Sequence, residues 1–174
     1  MKKEYRRVLI RMDQLHLLRR MIHQRLMADL PLYRGQPPVL DYIYHNPGCT
    51  QIELAQRLMV SPASIAQSTQ RMERAGFLER RQDADNRRCK RLYLTQEGEE
   101  LNQRCRMLFD ETDEKMFQGF SAREKEELEN YLQRLLSNIA PIAQVDLENM
   151  DKFTYFALLN QMKSEAIRKE RGDA

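Results

Sequence analysis

Apolar residues recur at helical spacing along most of this chain. From Tyr5 to Met27, the positions Val8, Met12, Leu15, Leu18, Ile22 and Leu26 stand three or four residues apart. That period predicts a long amphipathic helix. Pro31 and the stretch from Gly35 to Pro38 break the pattern. A shorter helix is expected next, with Val39, Leu40, Tyr42 and Ile43 inward, ending at Asn46-Pro47-Gly48. Later periods predict three more helices. One carries Leu101, Cys105, Leu108, Thr112 and Met116. A second carries Leu128, Tyr131, Leu132, Leu135 and Ile139 and closes near Pro141. A third, from Asp146 to Arg171, carries Leu147, Met150, Phe153, Ala157 and Met162.

The middle of the chain is marked by caps rather than by long periods. Thr50-Gln51-Ile52-Glu53 has the form of a capping box, in which hydroxyl and carboxylate reciprocally satisfy free amides at a helix start. The helix it opens is expected to bury Ile52, Leu54, Ala55 and Leu58. Met59-Val60 carries the chain through a turn. Ser61 is then an N-cap, and Pro62 occupies the first helical position, where its missing N–H costs nothing. This helix should run to Ala75 and stop at Gly76, a left-handed C′ residue. Ile65, Thr69 and Met72 face in, and Ala63, Ser64, Gln67, Gln70, Arg71 and Arg74 face out. Phe77–Arg81 and Arg91–Leu94 read as two short strands around a polar, charged tip. Thr95 and Ser121 cap the helices that follow, the second in another capping box with Glu124. The expected fold is mainly α with a small β-hairpin wing: a winged helix-turn-helix plus a helical dimerisation region.

Composition narrows the class. The 174 residues are 41% hydrophobic and 32% charged, with six Gly and six Pro, as expected of a helical globular chain. No apolar run approaches the roughly 18 residues that span a bilayer. The first residues lack a signal-peptide core, so the expectation is a cytoplasmic protein with Cys49, Cys89 and Cys105 reduced. No zinc-type cysteine spacing occurs, and neither metal nor cofactor is expected. No phosphate loop, His-Glu-x-x-His or nucleophile elbow is present, which argues against an enzyme.

Net charge is only +3, but its distribution is uneven. Between Arg71 and Arg91 eight basic residues stand against four acidic ones; between Thr95 and Leu136 six stand against eleven. Such asymmetry fits a part that faces phosphates and a part that does not. On the outward face of the Ser61–Ala75 helix, the small residues Ser61, Ala63 and Ser64 allow close approach to base edges. Gln67 suits a paired contact to adenine, and Arg71 and Arg74 suit phosphates. At the hairpin tip Arg87 and Arg88 are placed to reach a minor groove, with Lys90 and Arg91 available to phosphates at the strand base. Two other readings remain open: a winged-helix protein-interaction module, and a thiol-based redox sensor.

Taken in order, Thr50-Gln51-Ile52-Glu53-Leu54-Ala55, Val60-Ser61, Arg71-Met72-Glu73-Arg74-Ala75-Gly76-Phe77-Leu78-Glu79-Arg80, Asp83-Ala84-Asp85-Asn86-Arg87-Arg88 and Leu92-Tyr93-Leu94-Thr95-Gln96-Glu97-Gly98 closely resemble the MarR-type (multiple antibiotic resistance regulator) transcription factors. The resemblance is close over about residues 39–98 and extends in pattern to Ile139. It implies a bacterial homodimer that binds double-stranded DNA, with the first and last two family helices interlocked between subunits. It also implies that Arg88 enters the minor groove. The family usually places an Asp two residues before that arginine; here Asn86 stands there, with Asp85 beside it as a substitute for orienting the wing. Gln67 stands where Arg is common, which implies a different base preference. Family members commonly release DNA when a small aromatic or amphipathic effector binds; by that analogy His16, Arg20, Tyr42, His45 and Met107 are candidate pocket residues. Relatives that sense oxidants do so through a cysteine in the first helix, which this chain lacks. Cys49, just ahead of the Thr50 cap, stands where a helix N-terminus lowers a thiol's pKa, and Cys89 lies in the wing.

The expected organisation is a dimerisation helix over residues 1–34, a DNA-binding domain over 35–95, dimerisation helices over 96–141 and an extra helix over 142–174. The last is read as one more dimer-stabilising element, with a lid or a partner-binding element as the sharper alternative.

Overall fold

The computed structural model of the protein describes residues 4–33, 35–83, 89–148 and 150–171, without the side chains of Tyr155 and residues 163–171. Two of the caps expected from the sequence organise its centre. The Thr50 hydroxyl accepts the Glu53 amide at 3.2 Å, and the Glu53 carboxylate accepts the Thr50 amide at 2.7 Å, so helix α3 (Gln51–Leu58) starts where the capping box puts it. Met59 takes a left-handed conformation, and α4 (Pro62–Arg74) follows with Ser61 as its N-cap. Ahead of them lie α1 (Glu4–Ala28), α2 (Gln36–His45) and β1 (Cys49–Thr50). Behind them come β2 (Leu78–Gln82), β3 (Lys90–Leu94), α5 (Gln96–Met116), α6 (Ala122–Ala143) and α7 (Lys152–Arg171).

The strands form one antiparallel sheet in the order β1-β3-β2. Leu78 pairs with Leu94 and Gln82 with Lys90, while Cys49 pairs with Leu92. The two-residue strand β1 was not legible in the sequence, because so short a segment has no period. Packing between α5 and the sheet is close: a Cβ added at Gly98 would come within 2.0 Å of the Phe77 carbonyl oxygen. The core joins Leu40 and Ile43 of α2, Leu54 of α3, Ile65 and Met72 of α4, Leu78 and Leu92 of the sheet, and Leu101 and Cys105 of α5.

Several expectations change. Pro37 and Pro38 belong to the first turn of α2 rather than breaking the chain ahead of it; that turn has no amide partners for proline to remove. Ile52 is 65% exposed, because the buried face of α3 is set by Leu54, Ala55 and Leu58 and position 52 lies roughly opposite. Pro141 sits inside α6, which continues to Ala143. The last helix starts at Lys152, not Asp146, where the Asp151 carboxylate accepts the Thr154 amide at 2.8 Å as a cap. Met162 is exposed on it.

The first helix also differs from a one-sided amphipathic element. Among its described residues none is buried, and apolar side chains emerge on all sides: Val8, Leu9, Ile10, Leu15, Leu17, Leu18 and Ile22 are all exposed. It is joined to α5 by Arg19, which donates to both carboxylate oxygens of Asp113 at 2.8 and 2.7 Å. His23 lies on Phe109, with ring centres 4.3 Å apart. On α6, Tyr131, Leu132, Leu135, Leu136, Ile139 and Ile142 are exposed. By contrast α7 turns back onto α2 and α3. Phe153 and Ala157 are buried there, Phe153 edge-on to Tyr42, and Asn160 donates to the Leu58 carbonyl at 3.0 Å.

Candidate nucleic-acid interface

Helix α4 owes its one-sidedness to where its few large apolar residues fall. Ile65, Thr69 and Met72 recur at three or four residues and are buried, which leaves Ala63, Ser64, Gln67, Gln70, Arg71 and Arg74 exposed. The N-terminus is finished by Ser61, whose hydroxyl oxygen accepts the Ser64 amide at 3.1 Å and lies 2.8 Å from the Ser64 hydroxyl. Small side chains at this end leave the first-turn amides close to the surface, where the helix dipole favours an anion.

Thr69 anchors the other face. Its hydroxyl donates to the Ile65 carbonyl at 2.8 Å and accepts Gln51 Nε2 at 2.6 Å and an Arg80 guanidinium N–H at 3.2 Å. Arg80 also faces Glu73 at 3.1 Å. One buried hydroxyl therefore ties α3, α4 and β2 together, so the base of the hairpin and the outer face of α4 are held as a unit. Nothing in the local sequence marked Thr69 as more than a core position; the link depends on Gln51 and Arg80, which only the fold brings near.

At the hairpin, Arg91 is not left free for phosphates as the sequence suggested. Its Nε lies 2.5 Å from the Asp83 carboxylate, and Nη1 donates to the Gly48 carbonyl at 3.1 Å. The Asp83 amide in turn donates to the Cys89 carbonyl at 3.1 Å. Arg91 is thus a brace between the hairpin and the α2–β1 turn. Arg81 lies over the Tyr93 ring, 4.4 Å from its centre, and pairs with Glu79. Lys90 is exposed at the start of β3. The tip residues expected to matter most, Asp85, Asn86, Arg87 and Arg88, lie outside the described residues.

Of the candidate pocket residues, Tyr42 and His45 are brought together by Phe153, whose ring meets both edge-on at 5.1 and 6.4 Å. His16, Arg20 and Met107 are exposed on α1 and α5. An open crevice of about 700 Å³ runs between α5 and α6, lined by Asp110, Asp113, Glu114 and Phe117 on one side and Lys125, Leu128, Glu129, Leu132, Gln133 and Leu136 on the other. None of the five candidates lines it. The sequence passed over His23: burial lowers its pKa, nearby Arg19 lowers it further, and Asp113 partly offsets both.

The thiols behave differently from the expectation for Cys49. Burial pushes its pKa up to about 11, and the Glu53 carboxylate adds to the rise. Any effect of the following helix is outweighed, since a thiolate there would lose its hydration. Cys105 is likewise pushed up to about 11, chiefly by burial. Among the described residues no group of three or more His, Cys, Asp or Glu could hold a metal ion, and no helix is long and apolar enough to cross a membrane.

Comparison with known proteins agrees with this geometry. The sequence pattern of the MarR family matches residues 32–90. The chain is 33% identical over 111 residues to an HTH-type transcriptional regulator, YybA, of Bacillus subtilis (strain 168), covering 64% of this chain and 74% of that one. It is 31% identical over 121 residues to the transcriptional regulator HosA of Escherichia coli O157:H7, covering 67% of this chain and 90% of that one. Among solved structures, a single-site mutant of S. aureus MepR bound to an oligodeoxyribonucleotide superposes with a TM-score of 0.61 at 25% identity, over 76% of this chain and 96% of that one.

Proposed function

Since the chain belongs to the MarR family and is a winged-helix, DNA-binding transcriptional regulator rather than an enzyme, we propose that it acts as a homodimeric repressor on a pseudo-palindromic operator. The observation that carries this reading is the outer face of α4, small and polar at Ser61–Ser64 and basic at Arg71 and Arg74, fixed through Thr69 to the hairpin. Ser61, Ala63, Ser64 and Gln67 would meet base edges in the major groove, with Arg71, Arg74 and Lys90 on phosphates. Arg87 and Arg88 would reach the adjoining minor groove, with Asp85 and Asn86 orienting them.

Dimerisation is supported by the exposed apolar surfaces of α1 and α6, larger than a lone soluble chain leaves in water. A two-fold dimer would set the two α4 helices in successive major grooves about one helical turn apart. Bound there, the protein would block polymerase. Release by a small aromatic or amphipathic effector completes the proposal, and the high thiol pKa values of Cys49 and Cys105 favour that mode over oxidant sensing.

The deciding experiment is selection of bound sites from random duplex DNA with the purified protein at moderate salt. An inverted repeat should emerge. Arg88→Ala should then weaken binding to it more than tenfold, and Gln67→Ala should relax preference at one base position by roughly 1–3 kcal/mol. Enrichment of no site, with only salt-sensitive binding, would point instead to a winged helix turned toward protein partners.

A further inference from the structure

Arginines around the hairpin are engaged by carboxylates: Arg80 by Glu73, Arg81 by Glu79 and Arg91 by Asp83. Arg71 is held in another way. Its guanidinium carbon lies 5.0 Å from the centre of the Tyr33 ring, inside the roughly 6 Å over which a cation is attracted to an aromatic face. Tyr33 is not part of α4; it sits in the loop between α1 and α2, and 64% of it is exposed.

That loop is fastened to α4 next to Arg71. The Tyr33 amide donates to Oε1 of Gln36 at 2.7 Å, and the Gln36 amide donates to the Tyr33 carbonyl at 3.0 Å. Gln36 is 4% exposed, and its Nε2 donates to the Ser68 carbonyl of α4 at 3.4 Å. A buried amide thus joins the Tyr33 backbone to the helix less than one turn from Arg71. The difference in partner has a chemical consequence. A carboxylate cancels the guanidinium charge and occupies its N–H groups, so a phosphate must displace it. A ring attracts the flat face and leaves both the charge and the in-plane N–H groups for a bidentate phosphate contact.

We propose that Tyr33 is a positioning residue of the DNA interface: its ring, set by the Gln36 link to Ser68, holds the Arg71 guanidinium on the outer face of α4, aimed at a backbone phosphate. The α1–α2 loop is thereby part of the interface although it carries no basic residue among those described. This rests on the DNA-binding reading above, in which Arg71 meets a phosphate.

The test is a double-mutant cycle on the selected operator, read as affinity against salt concentration, using the full-length protein. Arg71→Ala should lower the slope of log affinity against log salt by about 0.9, the value of one phosphate contact. Tyr33→Ala should weaken binding about three- to fivefold, the range of a surface cation–aromatic contact, and should lower the same slope in part. Tyr33→Phe, which keeps the ring, should bind like the parent. In an Arg71→Ala background, Tyr33→Ala should cost nothing further. A Tyr33→Ala protein that binds as tightly as the parent would overturn the assignment. So would an equal loss with and without Arg71, or one that leaves the salt slope unchanged, since a merely structural loop would give that result. If Tyr33→Ala melts early, Tyr33→Leu, which fills space without a π face, replaces it and must show the same dependence on Arg71. Failure of the parent itself to select a site is a separate outcome, which removes the DNA-binding reading and this inference together.

Discussion

The segment from α2 to β3 and the pair of helices α1 and α6 solve the problem of apolar surface in opposite ways. In the first, Leu40, Ile43, Leu54, Ile65, Met72, Leu78 and Leu92 are all 2% exposed or less, and its polar groups are closed by caps, by Thr69 and by the Arg91–Asp83 pair. In the second, leucines and isoleucines as numerous lie open, Leu17 at 56% and Ile139 at 57% exposure. A lobe that buries its own core can present a fixed polar face to a ligand. Helices that bury almost nothing within their own chain are complete only against another surface, and in the proposed dimer that surface is a second copy. Helix α7 stands with the lobe: Phe153 and Ala157 are buried on α2 and α3, so its contacts within the chain are not those of the dimerisation helix expected from its position in the sequence.

Three experiments separate these regions, in order of expected size. Leu135→Glu, on the open face of α6, should act twice in a two-fold dimer. Losing about 1.5–3 kcal/mol of leucine burial per copy should raise the dimer dissociation constant more than a hundredfold by sedimentation. Its melting temperature should come to depend on protein concentration more steeply than the parent's. A dimer as tight as the parent's would remove α6 from the interface. Leu92→Ala, at the centre of the sheet with no exposure, should cost about 2–5 kcal/mol in urea unfolding at every protein concentration, without changing the dimer constant once folded. If the loss instead varied with concentration, the lobe would not be the self-sufficient unit its burial describes.

The smallest effect concerns α7 and has a pH signature. Partial desolvation raises the pKa of Asp151, but the Thr154 amide and hydroxyl and the Arg57 guanidinium outweigh it and hold the carboxyl at about 2, below its ordinary 3.8. A depressed folded pKa means that this contribution is present above about pH 4 and is lost as pH falls toward 2. Hydrogen exchange over α7, corrected for intrinsic rates, should show protection weakening across that window. In Asp151→Asn protection should be lower at neutral pH and should lack most of the step. An identical profile for the two proteins would show that the ion pair with Arg57 does not hold the helix.

Local rules carried much of the reading. A capping box needs only four adjacent residues, so Thr50–Glu53 and Ser121–Glu124 were legible. Ser61-Pro62 at one end of α4 and Gly76 just past the other bounded that helix, and the period of Ile65, Thr69 and Met72 gave its buried face. The same rules erred where a neighbour decides. Ile52 follows an apolar pattern but finds nothing opposite it. Cys49 follows helix-start chemistry but is covered, and desolvation outweighs the dipole.

What the sequence alone determined is therefore the order and type of the elements, the two faces of α4 and the family pattern, because each rests on residues within about two helical turns of one another. Only the tertiary structure decided that Arg91 is a brace rather than a phosphate ligand, that Thr69 joins three elements, that α7 returns to the lobe and that Tyr33 lies against Arg71. Those pairs stand far apart along the chain. Whether a side chain meets a carboxylate, a ring or water is set by what the fold brings opposite it, which no local period encodes.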